Sequence, residues 1–195
     1  MSTHNVLIRG AHDEQDQHRR VGWQLASRFV QRKARRSGRQ ARPAEFTFKT
    51  LQIGDLPLYN QDDDGNQAAP VKRLKSEIAA SQGLLFVTPE YNRSIPGVLK
   101  NAIDHASRPY GQSAFAGKPG GVIGVSVGAI GTAVAQQHLR NVLAYLDVPT
   151  LGQPEVFIQV KEGLFNPDGS IGTESRQFLQ GWVDRYMAWV EKYLS

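Results

Sequence analysis

Apolar runs of strand length alternate along this chain with longer segments of helical period. Asn5-Val-Leu-Ile8 reads as a short buried strand, and Arg19 to Ala34 as an amphipathic helix with Val21, Leu25, Phe29 and Val30 along one face. Alternation between Glu45 and Ile53 suggests a second strand, followed by a polar loop over residues 60–69 that is rich in Asp, Asn and Gln. Val71 to Ser81 has helical period, and Gly83-Leu-Leu-Phe-Val-Thr88 is a continuous apolar run of the kind found in strands covered on both faces. Ile95 to Ser107 reads as a helix with Pro96 in its first turn. Gly120 to Val127 is a further covered strand, Ala133 to Tyr145 a helix, and Glu155 to Val160 a last strand. The terminal helix spans Ser175 to Leu194 and should turn Phe178, Leu179, Trp182, Met187 and Val190 inward.

Five strands alternating with helices predict an α/β, doubly wound parallel sheet, because parallel neighbours need a crossover segment between them. With 195 residues and no repeat or linker, residues 1–195 are expected to form one domain. Ligands of such sheets bind beyond the carboxyl ends of the strands, where the strand order reverses. The loops after Ile8, Thr88 and Val127 are therefore the ones to inspect.

Composition removes some chemistry. The chain has no cysteine, which excludes disulfides, thiolate catalysis and zinc-thiolate or iron–sulfur sites. His12 and His18 lie near acids but lack the helical spacing of a metal site, so no metal is expected. Asp104, His105 and Ser107 fall on one helix without a nucleophile elbow and do not read as a hydrolytic triad. The start of the chain lacks a basic-then-apolar leader and no segment approaches a membrane span, which leads to a cytoplasmic expectation. The net charge of +5 is concentrated between Arg28 and Arg42. No aromatic interleaving or base-reading motif accompanies this stretch, which is read as a solvated helix face rather than a nucleic-acid site.

The loop after the third strand carries Pro89-Glu-Tyr-Asn-Arg-Ser-Ile-Pro-Gly97, running into Val98-Leu-Lys-Asn-Ala-Ile-Asp104. This string resembles that of the NADPH-dependent FMN reductase family, which includes chromate, quinone and azo-dye reductases. Asp55-Leu-Pro-Leu-Tyr59, Ala116-Gly-Lys-Pro119 and Gln136-Gln-His-Leu-Arg140 resemble further motifs of the family in the same order. The resemblance implies a flavodoxin-like fold with strand order 2-1-3-4-5, bound FMN, NAD(P)H as electron donor, and a small-molecule acceptor such as a quinone, azo dye, metal oxyanion or flavin. It also implies a homodimer or homotetramer. Pro89, Glu90, Tyr91 and Asn92 would line the flavin ring, with Ser126, Val127 and Gly128 of the next loop at its edge. Tyr59 and Tyr91 are candidate walls of the acceptor pocket, and no side chain stands out as a catalytic proton donor. Asn92 and Ser94 have a plainer alternative role as helix caps.

The first loop departs from the family pattern. Where the family shows G-S-x-R-x-x-S-x-N around the FMN phosphate, this chain reads Gly10-Ala-His-Asp-Glu-Gln-Asp-Gln-His18. Ala11 and Asp16 replace two serines, Asp13 replaces the arginine, and His18 the asparagine. A carboxylate in place of a cation reverses the interaction with a phosphate, so weaker FMN binding is expected. Gly10 remains, and Arg9, Arg19 and Arg20, which flank the loop, or His12 and His18 if protonated, could compensate in part. The competing expectation is a flavodoxin-like scaffold that has lost tight FMN binding.

Overall fold

The computed structural model describes residues 3–9, 45–166 and 171–195, the first segment as backbone. The expected helix from Arg19 to Ala34, the loop from Gly10 to His18 and the basic stretch lie outside the described residues. The strands are β1 (Thr3–Arg9), β2 (Glu45–Phe48), β3 (Gly83–Thr88), β4 (Gly120–Ser126) and β5 (Phe157–Gln159). The helices are α1 (Ala69–Ala79), α2 (Gly97–Ala106), α3 (Ala133–Tyr145) and α4 (Thr173–Leu194), with a 3-10 turn at Gln61–Asn66. All strand pairs are parallel, and hydrogen bonding orders them β2-β1-β3-β4-β5.

The continuous apolar run of β3 is explained by layers on both sides. Leu85 and Val87 face a core with Ile123, Val125, Ile158 and the α4 residues Leu179, Trp182, Tyr186 and Val190. Leu84 and Phe86 face the opposite core, with Val122, Leu74 and Ile78 of α1, Leu99 and Ile103 of α2, and Leu139 and Leu143 of α3. Strand neighbours point to opposite faces, so a strand sandwiched between helix layers has no polar side.

Several boundaries moved for identifiable reasons. The second strand ends at Phe48 rather than Ile53. Phe46 and Phe48 pack toward α4. Leu51 and Ile53 have slipped by one residue in the alternation and enter the opposite core beside α1. A one-residue slip exchanges faces, so one straight strand cannot carry both pairs. Arg73 of α1 pins this departing segment by donating to the Gln52 carbonyl at 2.8 Å and to Asp55 at 3.0 Å.

Helix α2 begins at Gly97, two residues later than the pattern suggested, because Pro96 restricts Ile95 to extended conformations. Pro96 is the cap, and its carbonyl accepts from Leu99 and Lys100 N–H. Neither Asn92 nor Ser94 caps the helix. On α4 the buried stripe is Leu179, Trp182, Tyr186 and Val190. Phe178 is 59% exposed and Met187 only partly buried, so Tyr186 takes the place expected of Met187. Gly83 and Gly121 make its space: a Cβ on Gly121 would lie 2.6 Å from the Tyr186 ring.

Candidate active site

The register Thr88↔Gly124 brings the carboxyl ends of β3 and β4 side by side, and Arg9↔Val87 brings β1 to the same edge. The turns after β3 and β4 therefore open next to each other. Thr88 fixes the first departure, its buried hydroxyl donating to the Pro89 carbonyl at 2.7 Å. Tyr91 and Ser94 then exchange reciprocal backbone hydrogen bonds at 2.9 Å around Asn92 and Arg93. These two residues have φ of 51° and 62°, the left-handed pair of a tight two-residue turn. Asparagine tolerates that conformation better than most residues. Among the described residues the amides of Asn92 and Arg93 meet no acceptor, and both residues are exposed.

The second turn is shaped by Ser126, whose hydroxyl accepts from Gly128 N–H at 2.9 Å. Val127 and Ile130 stand exposed beside it at 55% and 43%. Gly131 has φ +63°, and a Cβ there would sit 2.9 Å from the Phe157 backbone, so the turn lies directly against β5. Thr132 follows with φ +86°, an uncommon conformation for a β-branched residue, held by complete burial. Its hydroxyl accepts from Gln136 Nε2 at 3.0 Å, and the same amide reaches the Val156 carbonyl at 2.8 Å. Gly124 leaves the space for Thr132, since a Cβ there would lie 2.3 Å from Thr132 Oγ1.

Residues 55–60 are fastened to α2. Asn101 of α2 donates to the Pro57 carbonyl at 2.8 Å and accepts from Tyr59 N–H at 2.9 Å. His105 Nε2 lies 2.9 Å from the same carbonyl, so this nitrogen carries the proton, and the ring meets Tyr59 edge-on at 5.3 Å. The Tyr59 hydroxyl reaches Asp64 at 3.3 Å. Desolvation, then the Asp64 carboxylate, push the phenol above its ordinary range, so it stays protonated at neutral pH. Asp104 pairs with Lys100 and Ser107 donates to the Asp104 carbonyl, which leaves His105 without a nucleophile.

The sequence-derived residues are thus brought together unequally. Pro89, Tyr91 and Asn92 share one turn with Glu90, and Ser126, Val127 and Gly128 form the adjacent one. Tyr59 sits over α2, and no hydrogen bond or ring contact joins it to Tyr91 among the described residues. Gly10 and Arg19 lie outside those residues. The Glu90 carboxylate accepts from Ala135 N–H at 3.0 Å, on the first turn of α3. Thr132, Gln136 and the Ser94–His138 contact at 3.2 Å escaped the sequence reading, although Gln136 and His138 belong to a quoted motif. Among the described residues no cluster of His, Asp and Glu is suited to a metal ion.

The donor set suits a flat heteroaromatic ring with a polar edge, offering free turn amides beside exposed Tyr91, Val127 and Ile130. Comparison with known proteins agrees with this. The family model described as NADPH-dependent FMN reductase matches residues 18–163. A 2-hydroxy-1,4-benzoquinone reductase from a Burkholderia species is 54% identical over 149 residues, covering 76% of this chain and 81% of that protein. The solved flavoenzyme NAD(P)H:(acceptor) oxidoreductase of Paracoccus denitrificans superposes with a TM-score of 0.83 at 38% identity, covering 99% of each chain. A flavodoxin mutant from Pseudomonas aeruginosa shares the fold at 16% identity, with a TM-score of 0.54 over 97% of this chain and 99% of that one. Parallel-sheet architecture, site composition and a family match over most of its length make this chain a member of the flavodoxin-like NADPH-dependent FMN reductase family of oxidoreductases.

Proposed function

We propose that this chain is an NAD(P)H-dependent quinone reductase whose FMN ring is held by the two turns after β3 and β4. The observation that carries the reading is the juxtaposition, at one sheet edge, of unengaged amides at Asn92 and Arg93 with the exposed apolar side chains of Tyr91, Val127 and Ile130. A flavin needs donors at its pyrimidine edge and an apolar slot for the rest of the ring. Bound there, FMN would supply the two-electron chemistry that links NAD(P)H to a quinone.

The protein's contribution is positional. The Asn92 and Arg93 amides orient the polar edge, and Tyr91 and Val127 exclude water from the ring. Ser126 holds the second turn through Gly128, Pro89 sets where the first turn leaves the sheet, and Tyr59 walls the acceptor pocket. The phosphate falls to the loop beginning at Gly10, with Arg19 as its cation. The Burkholderia relative is a 2-hydroxy-1,4-benzoquinone reductase, which supports a quinone as acceptor. This reading takes residues 1–195 as one domain in the order 2-1-3-4-5, a cytoplasmic homodimer or homotetramer. Among the described residues no helix is long and apolar enough to cross a membrane.

The test is visible absorption of the purified protein, followed by initial rates. A protein that becomes yellow with stoichiometric FMN once FMN is supplied, and parallel double-reciprocal lines at several quinone concentrations, are expected, because donor and acceptor use one pocket in turn. Intersecting lines would overturn the alternating mechanism. A colourless protein that ignores added FMN would overturn the flavin reading and favour a scaffold.

A further inference from the structure

Glu90 immediately precedes the residues that close the first turn, and its carboxylate is already engaged. Oε2 accepts from Ala135 N–H at 3.0 Å, a partner 45 residues away in sequence. Ala135 is the third residue of α3, where backbone N–H groups lack intrahelical acceptors. The usual cap residue cannot serve. Thr132 sits at that position with φ +86° and no side-chain cap bond, because its hydroxyl accepts from Gln136 instead. The helix is therefore capped from another loop. A second tether lies along the same helix, where His138 Nδ1 is 3.2 Å from Ser94 Oγ.

Helix α3 consequently carries both turns. The second is continuous with its N-terminus through Thr132, and the first is fastened to its opening turns through Glu90 and Ser94. The first turn is itself closed by the reciprocal Tyr91–Ser94 bonds. Glu90 joins this closed turn directly through its peptide bond to Tyr91. A carboxylate at the positive end of a helix is also electrostatically favourable, so this bond is charge-assisted.

We propose that Glu90 is a positioning residue that acts through helix α3, fastening the turn after β3 to the turn after β4, rather than a group that touches the flavin ring. The consequence for FMN rests on the proposed function above, whereas the fastening itself does not. Loss of a helix cap weakens the local structure by a factor of about ten.

The experiment compares the full-length protein with Glu90→Ala and Glu90→Gln, following amide hydrogen exchange at Ala135 by NMR without FMN and titrating FMN and riboflavin by fluorescence. Exchange at Ala135 should accelerate about tenfold in Glu90→Ala. Glu90→Gln, which retains an acceptor oxygen, should fall between that variant and the parent. Affinity for FMN and for riboflavin should weaken in the same rank order, because the ring half is what loosens. Unchanged exchange at Ala135 with weakened flavin binding would show that Glu90 touches the ring, and would overturn the proposal. Unchanged exchange and unchanged binding would overturn it equally. Should Glu90→Ala fail to fold, the exchange rate in Glu90→Gln decides alone: acceleration supports the fastening and parental protection refutes it. A parent that binds no flavin would sink the functional reading, while the Ala135 measurement would still decide the fastening.

Discussion

Tyr186 offers the most direct test of the packing that backs the site. Its ring is fully buried between Gly83, Gly121 and Trp182, on which it stacks at 5.7 Å with an interplanar angle of 6°. Its hydroxyl meets no hydrogen-bond partner among the described residues. A buried, unpaired hydroxyl costs roughly 1–3 kcal/mol. Tyr186→Phe keeps the ring, the stack and the volume and removes only that oxygen, so the variant should be more stable by about 1–2 kcal/mol. For a domain of this size the melting temperature should rise by roughly 2–4 °C per kcal/mol.

Alkaline pH supplies an independent check on the same group. Burial holds the phenol well above its ordinary value of 10.0 in the folded protein. Below pH 10 the phenol is protonated in both states and contributes no pH dependence. Above pH 10 the unfolded chain loses this proton while the folded protein keeps it, so stability falls as pH rises toward the folded value. Tyr186→Phe abolishes this contribution, and its stability curve above pH 10 should be flatter than the parent's. Thermal and urea unfolding between pH 7 and 11 measure both effects. A variant destabilised by 1 kcal/mol or more, or one with the parent's alkaline slope, would show that the hydroxyl has a partner and that the reasoning is wrong.

Gly124→Ala should damage the second turn, since its Cβ would lie 2.3 Å from Thr132 Oγ1 and 2.5 Å from the Thr88 carbonyl oxygen. Overpacking of this kind costs roughly 1–3 kcal/mol, and calorimetry with an FMN titration should show lower stability and weaker binding together. Replacing Asp13, Ala11 and Asp16 by Arg, Ser and Ser restores the family's phosphate pattern. Fluorescence titration should show FMN binding tightened about tenfold or more, with riboflavin, which lacks the phosphate, as the unaffected control. The basic stretch from Arg28 to Arg42 should give only salt-sensitive association with DNA; sequence-selective binding at physiological salt in a gel-shift assay would contradict this.

Among the described residues the chain's own pattern determined which segments are strands and which are helices, and that the sheet is parallel and covered on both faces. Those properties follow from hydrophobic period and from the need for crossover segments, both local to the sequence. The motif string also singled out the turns at Pro89–Asn92 and Ser126–Gly128, which the sheet register brings to one edge. Tertiary structure decided the rest. The end of β2 depended on which core received Leu51 and Ile53, and the inward face of α4 on the space that Gly83 and Gly121 leave for Tyr186. The bond from Ala135 N–H to Glu90 has no signature in the sequence, because the donor is remote in the chain and is a backbone group common to every residue except proline. Thr132 gives no sign of a left-handed backbone, since a β-branched residue adopts that conformation only when its surroundings impose it. Gln136 is recognisable as part of a motif, but its two acceptors belong to different segments, and only the folded sheet brings them to one amide.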